Sequence, residues 1–129
     1  MRTWVFIANR KLTNLESTKV EEEIKNFLAQ WNSHGMPINA EGLCFENAAI
    51  VLVADETEVQ ASGCSIDKIN QWVRAIGQNL GIDFFDRFNV LTKDLSANWN
   101  LARFTHSNFN ESINSTIISW DEFNKKAGK

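Results

Sequence analysis

Six consecutive residues, Ala49-Ile50-Val51-Leu52-Val53-Ala54, carry no polar side chain. Side chains along a strand point alternately to opposite faces. A run that is apolar at every position therefore asks for cover on both sides and reads as a central strand. Asp55-Glu56 ends it. The rest of the chain has to supply the cover. With 129 residues, 43% of them hydrophobic and including nine Phe and five Trp, there is material for one sizeable core. Residues 1–129 are expected to form a single domain.

Other elements arrange themselves around that strand. Thr3 to Ala8, with Trp4, Val5, Phe6 and Ile7, reads as a buried strand. Thr13-Asn14-Leu15-Glu16 fits a capping box. After it Val20, Ile24, Phe27, Leu28 and Trp31 fall on one helical stripe. His34-Gly35 suits the helix end, with Gly in the left-handed cap. Residues 38–46 read as a second strand, and Glu46-Asn47-Ala48 as a tight turn into the central one. From Ile66 a second helix places Ile69, Val73, Ile76 and Leu80 on a seam and ends at Gly81. Asp86 to Leu91 reads as a fourth strand.

The order β-α-β-β-α-β predicts an α+β, ferredoxin-like antiparallel sheet with both helices on one face. A tight turn between the second and third strands favours this over a parallel sheet. Beyond Thr92 the pattern weakens. A partial helical signal surrounds Leu101, Ala102 and Phe104, Thr116 to Ile118 is a short strand candidate, and Ser119-Trp120-Asp121-Glu122 fits another cap. This region is expected to be a helix and strand extension.

The formal net charge is -3 and no long basic run occurs, so nucleic acid is not an expected partner. No stretch approaches the ~20 apolar residues that span a bilayer. The apolar N-terminal run is too short for a signal peptide, which makes the cytoplasm the expected compartment. Cys44 and Cys64 are then reduced thiols, and without a CxxC pair they do not make a zinc framework. No metal or cofactor is expected.

Chemistry concentrates in Ala61-Ser62-Gly63-Cys64-Ser65-Ile66-Asp67, where a helix is expected to begin. Helix N-termini carry unpaired amides and partial positive charge, which lowers a thiol's pKa and attracts anions. Cys64 is the candidate nucleophile, and Ser62, Gly63, Ser65 and Asp67 are candidate ligand contacts. Each also has a plain structural role: Ser65 as N-cap, Gly63 as turn residue, Cys64 as a small buried group, Asp67 answering the helix dipole. His34 is the candidate base for Cys64, in the nucleophile–base arrangement. Asp55 ends the central strand and is a candidate neighbour. Arg10 and Arg87, at adjoining ends of neighbouring strands in the expected sheet, would form an anion clamp. A local pairing of Arg87 with Asp86 is the simpler alternative.

Taken together, Asn9-Arg10-Lys11-Leu12, Trp31 with His34-Gly35, Val53-Ala54-Asp55-Glu56, Ser62-Gly63-Cys64-Ser65-Ile66-Asp67-Lys68 and Phe85-Asp86-Arg87-Phe88 give the chain a likeness. It resembles a family of small bacterial proteins commonly labelled "ABC transporter ATPase", over roughly residues 4–92. The label implies ATP hydrolysis, but no GxxxxGK[ST] phosphate loop occurs in the sequence. The resemblance thus implies a shared Ser-Gly-Cys-Ser-Ile-Asp motif and no activity.

Two functional readings follow. The first is a domain that binds a small molecule or anion at the Ser62–Asp67 turn, extending to thiol-dependent chemistry through Cys64. The second is a non-catalytic protein interaction module, homodimeric through the exposed edges of an open sheet.

Overall fold

The central strand sits in the middle of a three-stranded antiparallel sheet. The computed structural model describes residues 1–128. In chain order the elements are β1 (Arg2–Ile7), α1 (Asn14–Gln30), β2 (Asn32–Ser33), β3 (Met36–Pro37), β4 (Asn39–Phe45), β5 (Ala49–Asp55), α2 (Gly63–Leu80), β6 (Asn89–Lys93), β7 (Trp99–Arg103) and α3 (Trp120–Lys126). The main sheet runs β1-β5-β4, so β5 is paired on both edges.

Both faces of β5 are covered. Ile50, Leu52 and Ala54 point to one side and pack under α1 and α2, against Val20, Ile24, Ile69, Val73 and Ile76. Ala49, Val51 and Val53 point to the other side, where Leu91, Trp99, Ile113, Ile117 and Phe123 close over them. The helices occupy one face as expected. The C-terminal region is the second layer and not an appendage. Gly42 on β4 records how closely α1 sits: a Cβ there would meet Ile24 Cγ2 and Leu52 Cδ2, both at 2.7 Å.

The α+β class with antiparallel strands is as the sequence indicates. The fourth strand is not where the ferredoxin-like order puts it. Residues 83–88 skirt β1, and β6 then pairs with β7. Leu91 and Ile113 exchange two further bonds of 2.9 Å. The helical signal around Leu101 is also corrected: residues 99–103 are strand. Asp94 is the reason. Its carboxylate accepts from Ser96 N–H at 2.9 Å and Asn98 N–H at 3.0 Å, and so turns the chain back as a hairpin. Residues 116–118 form no extended strand; Thr3 N–H donates to Ile118 C=O (3.0 Å) and Trp120 N–H to Met1 C=O (2.9 Å), a single bridge beside β1.

α1 ends three residues earlier than His34-Gly35 implies. Trp31 is its C-cap, and its buried indole N–H donates to Ser65 C=O on α2 at 2.8 Å. That bond turns the chain out of the helix. His34 and Gly35 instead form the two-residue turn of the β2–β3 hairpin, both with left-handed backbone (φ 53° and 81°).

The N-terminus of α1 holds as read. Glu16 N–H donates to Thr13 Oγ1 (3.1 Å) and Thr13 N–H to Glu16 Oε1 (2.9 Å). Arg10 donates to both carboxylate oxygens at 2.9 and 3.0 Å. The Arg10 bonds first, then the Thr13 amide, hold the Glu16 carboxyl down at about 2, against an ordinary 4.5. A folded-state value below the unfolded one gives stability that is complete above the unfolded value and lost as pH falls toward the folded one. Glu16→Gln should therefore narrow its stability gap to the parent as pH drops from about 5 to about 2. Urea midpoints across that window test this; a constant gap would mean the carboxylate charge is irrelevant.

Candidate functional site

The Ser62–Asp67 turn is built mostly from its own capping. α2 starts at Gly63, with Ser62 as N-cap, where the sequence suggests Ser65 as cap and Ile66 as start. Ser65 N–H donates to Ser62 Oγ at 3.2 Å, and Ser62 N–H donates to Ser65 Oγ at 2.6 Å. Ser65 Oγ also donates to Ser62 C=O (2.8 Å). Ser65 is 1% exposed, so its hydroxyl faces no ligand. The reciprocal serine box was missed because the familiar signature carries Glu or Gln at that third position. Ser62→Ala should cost ~1 kcal/mol of stability, read as a shift in urea midpoint. Cys64→Ser should stay within ~0.5 kcal/mol. Equal costs would remove the capping account.

Gly63, Cys64 and Asp67 are exposed. Asp67 lies past the first turn, because the helix begins earlier than expected. Cys64 is exposed, and no described residue hydrogen-bonds to it. Cys44 is the buried thiol, and burial pushes its pKa up. His34 is exposed at its hairpin tip. β2 does pack against α2, but no hydrogen bond joins His34 to Cys64.

The other expected neighbours are committed elsewhere. Asp55 accepts from the Thr57 hydroxyl and from Thr57 N–H (3.0 Å), which lowers its pKa and closes the turn after β5. Besides holding Glu16, Arg10 donates to Leu80 C=O at 2.7 Å, at the C-terminal end of α2. An 18-residue helix is ~27 Å long, so Arg10 is at the far end of α2 from the turn. The Arg10–Arg87 clamp does not form. Asp86 pairs with Arg103 at 2.7 Å, not with Arg87, and that bond lowers the Asp86 pKa.

Arg87 belongs to a different feature. A groove of about 420 Å³ runs along the β1 edge that faces away from β5. Ile66, Asn70 and Arg74 form its α2 wall, Phe84 to Arg87 a second wall, and Ser115, Ile117 and Ile118 a third. Arg2, Arg74 and Arg87 stand on its rim, all exposed. Arg74 and Arg87 have no carboxylate partner among the described residues, and Arg2 has only a loose one, Glu56 at 3.7 Å. The Arg74 guanidinium lies over the Phe85 ring, 4.3 Å from its centroid, which fixes its position without neutralising it. Ser115 Oγ is shut from solvent and has no partner among the described residues.

The sequence reading missed Arg2, Arg74 and Ser115. The i, i+4, i+8 spacing of Ile66, Asn70 and Arg74 was a readable sign that they share a flank of α2. Nothing local indicated that β1 would leave that flank uncovered.

Fold and groove together define a mixed α+β domain with an arginine-rimmed cleft at a sheet edge. No family model, curated protein or solved structure matches the chain. No helix among the described residues is long and apolar enough to cross a membrane.

Proposed function

We propose that the chain is a non-catalytic binding domain for an anionic ligand, held in the groove along β1. The carrying observation is the pair Arg74 and Arg87, two cations on one cleft with no acidic partner among the described residues. The cleft volume of about 420 Å³ lies in the range of small-ligand sites. Guanidinium groups match carboxylate and phosphate oxygens in fork geometry. The expected anion site thus moves from the Ser62–Asp67 turn to the neighbouring groove, which α2 still helps to build through Ile66. A thiol-dependent reaction at Cys64 has less support: its sulfur has no hydrogen-bonded base among the described residues, and Ser62 and Ser65 serve as caps.

Kinship with the small bacterial proteins that share the Ser62–Asp67 motif, and with ferredoxin-like folds through the β1-β5-β4 order, is part of the same proposal. Neither supplies an activity.

The test is calorimetric titration with tricarballylate and with pyrophosphate. At least one should bind saturably, and Arg74→Glu/Arg87→Glu should weaken it at least ~30-fold, since charged hydrogen bonds are worth ~1.5–3 kcal/mol each. Cys64→Ser should leave it unchanged. Binding that survives the double arginine variant but is blocked by alkylating Cys64 would return the site to the turn.

A further inference from the structure

Resting on that anionic-ligand reading, we infer that the occupant of the groove is an acidic polypeptide segment in extended conformation, added to the sheet as a strand beside β1.

The register shows which backbone groups are open. Ala8 N–H donates to Ala48 C=O at 2.8 Å, and Ala8 stands opposite Ala48 in the continued β1–β5 register. In antiparallel pairing, hydrogen-bonded pairs alternate with non-bonded ones. Trp4 and Phe6 therefore bond to β5, while Thr3, Val5 and Ile7 turn their N–H and C=O groups away from it. Thr3 N–H has found Ile118 C=O. Among the described residues neither the Val5 nor the Ile7 N–H has a backbone partner outside the β1–β5 ladder, and the alternation keeps both out of that ladder. The two residues are 4% and 1% exposed. Buried strand backbone is ordinarily paired, with protein or with ordered water, so these two amides are donors that an added strand can take up.

The unpaired part of the edge runs from Val5 to Ile7, ~7 Å, enough for about three residues of a partner strand. Main-chain bonds to an open edge would give such a partner affinity, and its alternate side chains would give specificity. The rim decides the chemistry: Arg2, Arg74 and Arg87 call for Asp or Glu on the added strand. It also disfavours a second β1 from another copy, because self-pairing would bring two sets of three arginines together. A small anion satisfies the arginines but leaves Val5 and Ile7 unmet.

The experiment uses the full chain and two probes, tricarballylate and the blocked peptide acetyl-Glu-Val-Glu-Val-Glu-Val-amide. Two further versions of the peptide carry N-methyl groups, one on every Val nitrogen and one on every Glu nitrogen. NMR reads the arginine side-chain resonances and hydrogen exchange at Val5 and Ile7. The expected result is saturable peptide binding, at least tenfold slower exchange at both amides, and at least tenfold weaker binding for one methylated peptide only. That asymmetry marks a strand, because alternate nitrogens face the sheet. If tricarballylate and all three peptides bind alike and exchange is unchanged, strand addition is overturned and the anion site stands. If no probe perturbs Arg74 or Arg87, both fall. Concentration-dependent protection of Val5 and Ile7 without peptide would overturn the inference in favour of a second copy.

Discussion

Replacing Gly77 by alanine should lower the melting temperature by roughly 10 °C, the product of a net cost of ~2 kcal/mol and several degrees per kcal/mol in a chain of this size. Gly77 is buried in the last turns of α2, where the chain folds back across the helix. A Cβ there would stand 2.4 Å from Ile82 C=O, a backbone atom that cannot swing aside. Ile82 is held in place because its N–H donates to Gly77 C=O at 2.9 Å and its side chain is buried. Gly81 makes the reversal with left-handed backbone, φ 69°. Overpacking of this kind costs ~3 kcal/mol at the upper end of the usual range. Alanine's better helix propensity returns ~1 kcal/mol. Gly63→Ala is the matched control. Beyond its chain neighbours and its own helix backbone, no atom of the described residues lies within 4 Å of where a Cβ would stand on Gly63, so this change should be neutral within ~0.5 kcal/mol. Circular dichroism melts of both variants suffice, and equal melting points would refute the close-approach account.

Phe123→Ala should be costlier still, at ~3–5 kcal/mol. Phe123 is 2% exposed, stacks on Trp120 at 5.3 Å and meets Phe45 edge-on at 5.1 Å. It is how α3 attaches to the second face of the sheet. Its loss leaves a cavity on the face that carries Val51 and Val53, which α3 cannot fill from outside. Urea unfolding followed by tryptophan fluorescence and by far-ultraviolet dichroism should give coincident transitions in the parent and a much lower midpoint in the variant. A variant as stable as the parent would show that α3 adds nothing to the cover of the second face.

Much of the main sheet and its helices was legible in the sequence. β1, β4, β5 and both long helices lie close to where periodicity and caps put them, because those signals act within a few turns of chain. The Thr13–Glu16 box and the Gly81 cap are local in the same sense. Ser62 as cap was missed for want of a Glu at the third position, and His34 was misplaced because a left-handed His-Gly pair serves a hairpin as well as a helix end. The candidate site was half legible. The sequence points to Arg87 but pairs it with Arg10; the arginine it shares a groove with is Arg74.

The unbroken apolar run Ala49–Ala54 carried its own consequence: alternation of side chains obliges cover on two faces, whatever supplies it. What supplies it could not be read locally. An extended segment at residues 89–93 can complete the sheet beside β1 or pair with a nearer strand. The Asp94–Asn98 loop brings β7 within five residues, whereas β1 lies more than eighty residues back. Closing the shorter loop costs less chain entropy. β6 therefore turns to β7 and becomes part of the second layer, and the edge of β1 that it might have filled is left as the arginine-rimmed groove.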